Sequence, residues 1–386
     1  MIHMESIIVT GSARVRVADE LTQWIRSGRL VSGSVLPSER ELAVLLGASQ
    51  PSVHRGIAQL EAGGLVVAGV GRERRVRALR TPLMTHVLVV LATWHRAKHQ
   101  RSTGFTDHIT EAAHEAAAGA RWHALAAHPG RFDAEMLDGL IVQRPAAVVL
   151  PEITHLPGDH ASAIRQLRQA GIAVAVNARG ASIADADCAV ADHAAGASLL
   201  VRYAAERGRR RILPIWTSEA AAGWWYAERT SGIRRGAAET GLAVAPDLVV
   251  TLGQLAGDQW GSPEAVRVAF AAATAAWAAH LAPVFASREA PDALLVHTDV
   301  DAAAVGAACR LLGREPGSDL DVFGFDAYLA DLPLRPLADG LIQASVDRDN
   351  PAIGRALVEL AIARSEGTSA NEPQLRLIRP SLITTF

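Results

Sequence analysis

The chain has 386 residues, 49% apolar and 20% charged, which suits two or three packed domains and excludes wholesale disorder. The net charge of −2 hides an asymmetry: residues 1–82 carry 11 Arg against 7 acidic residues, a balance of +4, and the rest carries 27 basic against 33 acidic, a balance of −6. A small basic module on an acidic body points to nucleic acid at one end, while the absence of an unbroken apolar span, a leader-like N-terminus and CxxC spacing argues against a membrane span, export and structural zinc.

In chain order, residues 14–27 read as an amphipathic helix, with Val17, Leu21, Trp24 and Ile25 at helical spacing and Gly28 at its end. Ser38 then precedes Glu39-Arg40-Glu41-Leu42, an N-cap with acidic first-turn residues, and opens a short helix that stops at Gly47. Ser49 caps a third helix carrying Pro51 in its first turn and Val53, Ile57 and Leu60 inward. Two β runs, 65–68 and 74–78, flank a Gly-containing turn. Three helices and a hairpin describe a winged helix-turn-helix, whose third helix enters the major groove.

The run Leu36-Pro37-Ser38-Glu39-Arg40-Glu41-Leu42, followed by Leu46-Gly47-Ala48-Ser49, Val53, Leu60-Glu61 and Gly64-Leu65-Val66, resembles the GntR family of bacterial regulators over about residues 14–78. The resemblance implies DNA contact by Arg40 and by the recognition-helix residues Ser49, Gln50, Ser52, His54 and Arg55. Gln50 and His54 replace two arginines of the family pattern, and Gln can read adenine bidentately. The wing's usual Gly-Arg-Gly stands here as Gly71-Arg72-Glu73, followed by Arg74 and Arg75; Arg72, Arg74 and Arg75 suit phosphate contact or a solvated charge run.

After a short basic linker at 79–83, buried strands alternate with helices from residue 84 to 386, which means a parallel sheet covered on both faces. About nine strands make two sheets more naturally than one, with a ligand in the cleft beyond the strand ends. The segments 143–151, 171–174, Asp192-His193-Ala194-Ala195-Gly196, 208–212, Arg229-Thr230-Ser231-Gly232-Ile233, Thr298-Asp299 and Asp321-Val322-Phe323-Gly324-Phe325-Asp326 resemble the sensor domain of the LacI/GalR family, a type I periplasmic-binding-protein fold. A GntR-type reader on such a sensor is the combination of arabinose-repressor-like regulators. The fold class is therefore α/β: a winged helix-turn-helix at 1–78 and a two-lobed, doubly wound sensor. By that resemblance the chain crosses between lobes near 191, 325 and 346. That places 84–191 and 325–345 in lobe 1, and 192–324 and 346–386 in lobe 2.

The same resemblance puts Arg229 and Asp299 on ligand hydroxyls, with Thr298 replacing the family's Asn, and Trp260 at an aromatic position of the pocket. Trp225 lies four residues before Arg229, on one helix face. Trp94, Phe105, Glu152, Asn177 and Asp347 follow strands or fall at the crossings and are further cleft candidates. Plainer roles stay open: Asp299 suits a helix N-cap, Arg229 a helix surface, and Trp224, Trp225 and Trp260 packing. Asp192 and Asp326 suit capping or loop ordering.

His108, Glu111, His114 and Glu115 share a helix face that suits solvent more than metal, and no metal or cofactor is implied. Lys98 is the only lysine and lies early in the body, which excludes a fused aminotransferase with its Schiff-base lysine. Neither a G-x-S-x-G elbow nor a P-loop is present, so no enzyme is indicated. The sequence therefore reads as a cytoplasmic, homodimeric transcription regulator, a repressor whose operator affinity follows a mono- or disaccharide effector. The alternative is a solute-binding protein without a regulatory role.

Overall fold

The computed structural model describes residues 13–26, 29–30, 33–62, 65–68, 73–76, 84–91, 105–127, 134–152, 159–180, 183–252, 262–370 and 372–384. Two compact units emerge, one chiefly of residues 1–85 and one of residues 86–386 apart from the turn 169–171.

The first unit is built from α1 (Ala13–Arg26), α2 (Glu39–Leu46), α3 (Gln50–Ala62) and the antiparallel strands β1 (Val66–Ala68) and β2 (Arg74–Val76). Ser38 and Glu41 close a reciprocal capping box at the start of α2, and Gly47 ends it in the left-handed region at φ 58°. Val17, Leu21, Trp24, Leu42, Val53 and Ile57 meet in one core. The crossing of α1 and α3 is close enough to require Gly56, where a Cβ would lie 2.6 Å from Val17 Cγ1.

The second unit has two lobes. Lobe 1 orders its strands β14-β7-β6-β5-β3-β4, namely β3 (Met84–Leu91), β4 (His123–Ala127), β5 (Pro145–Leu150), β6 (Ala173–Val176), β7 (Asp187–Ala191) and β14 (Leu375–Ile378). Its helices are α4 (Phe105–Gly119), α5 (Ala134–Gln143), α6 (His160–Gln169) and α12 (Asn350–Ser365). The strands β5, β6 and β7 are buried along their whole length, as strands covered on both faces must be.

Lobe 2 orders its strands β10-β8-β11-β12-β13-β15, from β8 (Arg211–Thr217), β10 (Leu248–Val250), β11 (Ala293–Val296), β12 (Asp321–Phe325), β13 (Ala344–Asp347) and β15 (Ser381–Ile383), with the short β9 (Ala243–Val244) beside β8. The pairs are parallel except β13 with β15. Its helices are α7 (His193–Glu206), α8 (Ser218–Ala221), α9 (Trp224–Thr240), α10 (Pro263–Phe285) and α11 (Asp299–Leu311). Helices α7 and α9 touch through their backbones at Gly232, where a Cβ would stand 2.1 Å from the Ala194 carbonyl oxygen. That contact is the physical reason for the glycine in the Arg-x-x-Gly segment.

The lobe boundaries differ from the sequence expectation. No crossing occurs near 325, because β12 pairs in parallel with β13 through Phe323 and Ala344, so 325–345 belongs to lobe 2. The chain passes to lobe 1 after β13, where α12 packs on β5, β6, β7 and α4, and returns between β14 and β15. Residues 350–378 thus complete lobe 1, not lobe 2. Among the described residues α10 is the one helix long and apolar enough by composition to cross a membrane, with a mean hydropathy of 1.5, which the absence of an unbroken apolar span in the sequence does not anticipate. Its Trp277 and Leu281 are fully buried with α11 side chains in the lobe 2 core, the packing of a helix on a sheet.

Candidate functional site

In the first unit, Arg40 on α2 and Gln50, His54 and Arg55 on α3 are all exposed, whereas Val53, Ile57 and Leu60 of α3 are buried. Ser49 is exposed just before α3, but Ser52 turns inward, 7% exposed, with its Oγ 2.9 Å from Ser49 Oγ. A buried hydroxyl cannot reach a phosphate, so Ser52 leaves the expected contact set.

Arg74 is also placed differently from a solvated wing cation. Its Nε donates to Glu61 Oε1 at 2.6 Å and its Nη1 to Glu39 Oε1 at 2.7 Å, so β2 is tied to both α2 and α3. The Glu61 bond, ahead of that from Glu39, raises the guanidinium pKa. Arg75 remains exposed beside Glu73, at 3.2 Å. Arg72 lies outside the described residues.

In the second unit the parallel strands β11, β12 and β13 end at one edge of the lobe 2 sheet, and the residues just beyond them, His297, Asp326 and Arg348, converge with His193 at the start of α7 and Arg229 of α9. Arg229 is 3% exposed. Its Nε donates to His193 Nδ1 at 3.1 Å, its Nη1 to the His297 carbonyl at 2.6 Å, and its Nη2 faces Asp326 Oδ1 at 3.4 Å. The guanidinium lies 3.4 Å from the Phe325 ring centroid and 4.2 Å from that of Trp225. Burial pulls its pKa down to about 9 while Asp326 opposes the fall, so it stays cationic at neutral pH. Of its five N–H groups three are engaged, leaving one on each terminal nitrogen.

His193 accepts from Arg229, so its proton sits on Nε2, and burial followed by the fields of Arg229, Arg348 and Arg179 holds it neutral. His297 stacks at 4° on Trp225 and points Nε2 at Asp301 Oδ2, 3.2 Å away; burial lowers its pKa as well. Among the described residues its buried Nδ1 has no hydrogen-bond partner. Arg348 bridges Asp326, at 3.3 Å, and Asn350 Oδ1, at 3.0 Å. The backbone is strained here: Asp326, Ala327 and Asp349 have φ of 92°, 53° and 53°.

Asp299 is not the N-cap of the helix that follows it. Thr298 is the N-cap of α11, accepting from the Asp301 N–H at 3.2 Å. Asp299 is wholly buried, accepting from Ser345 Oγ at 2.5 Å and the Tyr328 N–H at 3.1 Å, and so braces β11 against β12 and β13. Its carboxyl occupies the space a side chain at Gly324 would need, where a Cβ would be 2.0 Å from Oδ1. Burial raises its pKa to about 8.

Trp225 is half-buried in the lobe 2 core beside Trp216 and His297, so it backs Arg229. Trp224 meets His193 edge-on at 5.1 Å. On lobe 1, Asn177 follows β6 and donates to the Pro151 carbonyl at 3.0 Å, with Glu152 buried after β5. Arg179, beyond β6, forms an ion pair with Glu228 of α9 across the lobes. Trp94 and Trp260 lie outside the described residues, as does the side chain of Phe105. Sequence reasoning missed His193, His297 and Arg348 and assigned Asp326 only a loop role; their shared signal is position, one or two residues past a parallel strand. Among the described residues no three metal-ligating side chains cluster, and His114 Nδ1 lies 2.7 Å from the Thr110 carbonyl.

Residues 13–76 match the family of bacterial regulatory proteins called gntR, and residues 201–384 match the periplasmic binding protein-like domain. The chain joins a gntR-family reader to a periplasmic-binding-protein-like body. The reader is 43% identical over 60 residues to the HTH-type transcriptional repressor NanR of Klebsiella aerogenes, covering 16% of this chain and 23% of that protein. It is 39% identical over 64 residues to the HTH-type transcriptional regulator Mce2R of Mycobacterium tuberculosis, covering 17% and 27%. The chain thus spans only about a quarter of the length of these relatives.

The fold is similar to that of a LacI-family regulatory protein from Chloroflexus aggregans, with a TM-score of 0.60 at 19% identity over 78% of this chain and 98% of that one. It is also similar to a transcriptional regulator CelR–cellobiose complex, with a TM-score of 0.59 at 18% identity over 90% and 99%. A Caulobacter myo-inositol binding protein bound to myo-inositol gives 0.56 at 18% identity over 79% and 96%. These likenesses establish a type I periplasmic-binding-protein-like architecture for the body.

Proposed function

We propose that the chain is a cytoplasmic transcription regulator, a repressor rather than an enzyme, that binds operator DNA as a dimer and responds to a small polyhydroxylated effector held between the lobes of its body. The observation carrying the reading is the exposed row Arg40, Gln50, His54 and Arg55 on α2 and α3 of the gntR-type reader. It has the composition for phosphate and base-edge contact and is held on a rigid core. The NanR and Mce2R likenesses support it for the reader, and the cellobiose and inositol complexes support a sugar for the body.

In the cleft, the remaining N–H groups of Arg229 and the Asp326–Arg348 pair supply convergent donors and acceptors from lobe 2. Trp224 offers a half-buried ring beside His193. Closure of the lobes on a ligand would shift the conformational equilibrium that sets the geometry of a dimer on DNA, and the coupling is reciprocal. The test is a gel shift of the full chain on DNA from upstream of its own gene, with and without a panel of mono- and disaccharides. Binding at low salt that falls steeply with added salt, and that one sugar alters, is the expected result. No binding at low salt would overturn it.

A further inference from the structure

The reader carries a three-residue chain that neither the composition of its exposed face nor its family match explains. Oε1 of Glu39, on α2, receives Arg74 Nη1 at 2.7 Å from the wing strand and lies 2.9 Å from His54 Nδ1 on the recognition helix. Arg74 is fixed from behind by Glu61, at 2.6 Å. The carboxylate is thus aimed from two sides, and the His54 bond foremost lowers its pKa, so it remains a pure acceptor at neutral and mildly acid pH.

A carboxylate accepts and cannot donate, so His54 must carry hydrogen on Nδ1. This leaves Nε2 as the free ring atom on a side chain that is 60% exposed. When the ring is neutral, Nε2 is an acceptor and matches the amino groups of adenine or cytosine; when protonated it is a donor and matches N7 or O6 of guanine. Arginine, which the family pattern has at this position, can only donate. The charged groups facing His54 are Glu39 from α2 and, through that carboxylate, Arg74 from β2 and Glu61 from α3.

We propose that Glu39, clamped by Arg74, is a positioning residue that commits His54 Nδ1 inward and makes Nε2 the base-reading atom, so that one base preference in each operator half-site switches with pH. This rests on the reading of α3 as the major-groove helix. The experiment is selection from a random-duplex library by the full-length chain at pH 6 and pH 8, with wild type, Glu39→Gln, Arg74→Thr and His54→Ala.

Wild type is expected to favour adenine or cytosine at one position at pH 8 and to move about threefold to tenfold towards guanine at pH 6. Glu39→Gln should diminish that pH response, because an amide can either donate to or accept from the neutral ring and no longer keeps Nε2 an acceptor at pH 8, while preferences at other positions persist and report an intact reader. Arg74→Thr should weaken the response, and His54→Ala should remove selectivity at that position at both pH values. A wild-type preference that ignores pH, or a pH response undiminished in Glu39→Gln, overturns the proposal while leaving the reader standing. A wild type that selects no sequence overturns both.

Discussion

Asp299 makes the body's stability depend on pH in a direction opposite to that of a surface carboxylate. Its folded pKa is raised to about 8 by burial, whereas an unfolded aspartate titrates near 4. Between those values the folded state holds a proton that the unfolded state has released, so stability falls as pH rises through this window and levels off above the folded pKa. From pH 5 to pH 8 the difference amounts to about 3 to 4 kcal/mol. Asp299→Asn removes the titration and keeps the shape. An Asn oxygen can accept the Tyr328 N–H, and its amide can donate to Ser345 Oγ, the two partners Asp299 has now. The assay is urea unfolding at pH 5, 6, 7 and 8, followed by tryptophan fluorescence, since seven of the eight tryptophans lie in the body. Comparing the two proteins at each pH cancels the opposite contributions of the buried, neutral His193 and His297, whose lowered pKa values reduce stability as pH falls. Wild type should lose stability relative to Asp299→Asn across the range. A relative change below about 1 kcal/mol would refute the assignment of a buried, protonated carboxyl.

Asp326→Asn should leave Arg229 and Arg348 without their shared buried counter-charge and cost about 3 kcal/mol, read as a lower urea midpoint, with effector affinity falling by calorimetry. Gly232→Ala should lower Tm by several degrees, an overpacking cost of about 1 to 3 kcal/mol, because its Cβ meets the Ala194 backbone, which cannot swing away as a side chain can. Arg40→Ala should make the log–log salt dependence of DNA affinity shallower by about 1 per reader if the guanidinium sits on a phosphate; an unchanged slope would remove it from the backbone contacts.

The parts of the structure that depend on neighbours in sequence were legible in advance. The Ser38–Glu41 capping box, the inward Val53, Ile57 and Leu60, and the fully buried β5 follow from spacing alone. What spacing could not reveal lies in long-range pairs. Arg74 meets Glu39 across 35 positions, and Asp299 meets Ser345 across 46, so read locally Arg74 suits a phosphate contact or a solvated charge run and Asp299 a ligand contact or a helix cap. The lobe boundary near 325 failed for a related reason. A strand end looks the same whether the next strand joins its own sheet or another, and only the pairing of Phe323 with Ala344 decides it.

That β14 and α12 complete lobe 1 from far along the chain bears on the order in which the protein is made. Some 180 residues separate the end of β7 from β14, so at about 5 to 20 residues per second lobe 1 waits roughly 10 to 40 seconds for its edge strand during synthesis. The winged helix, with every element before residue 77, is finished long before. A nascent or prematurely terminated chain therefore carries a complete nucleic-acid reader attached to an unfinished control domain. On the proposed function, such a fragment would present the reader without the lobes that are to hold the effector.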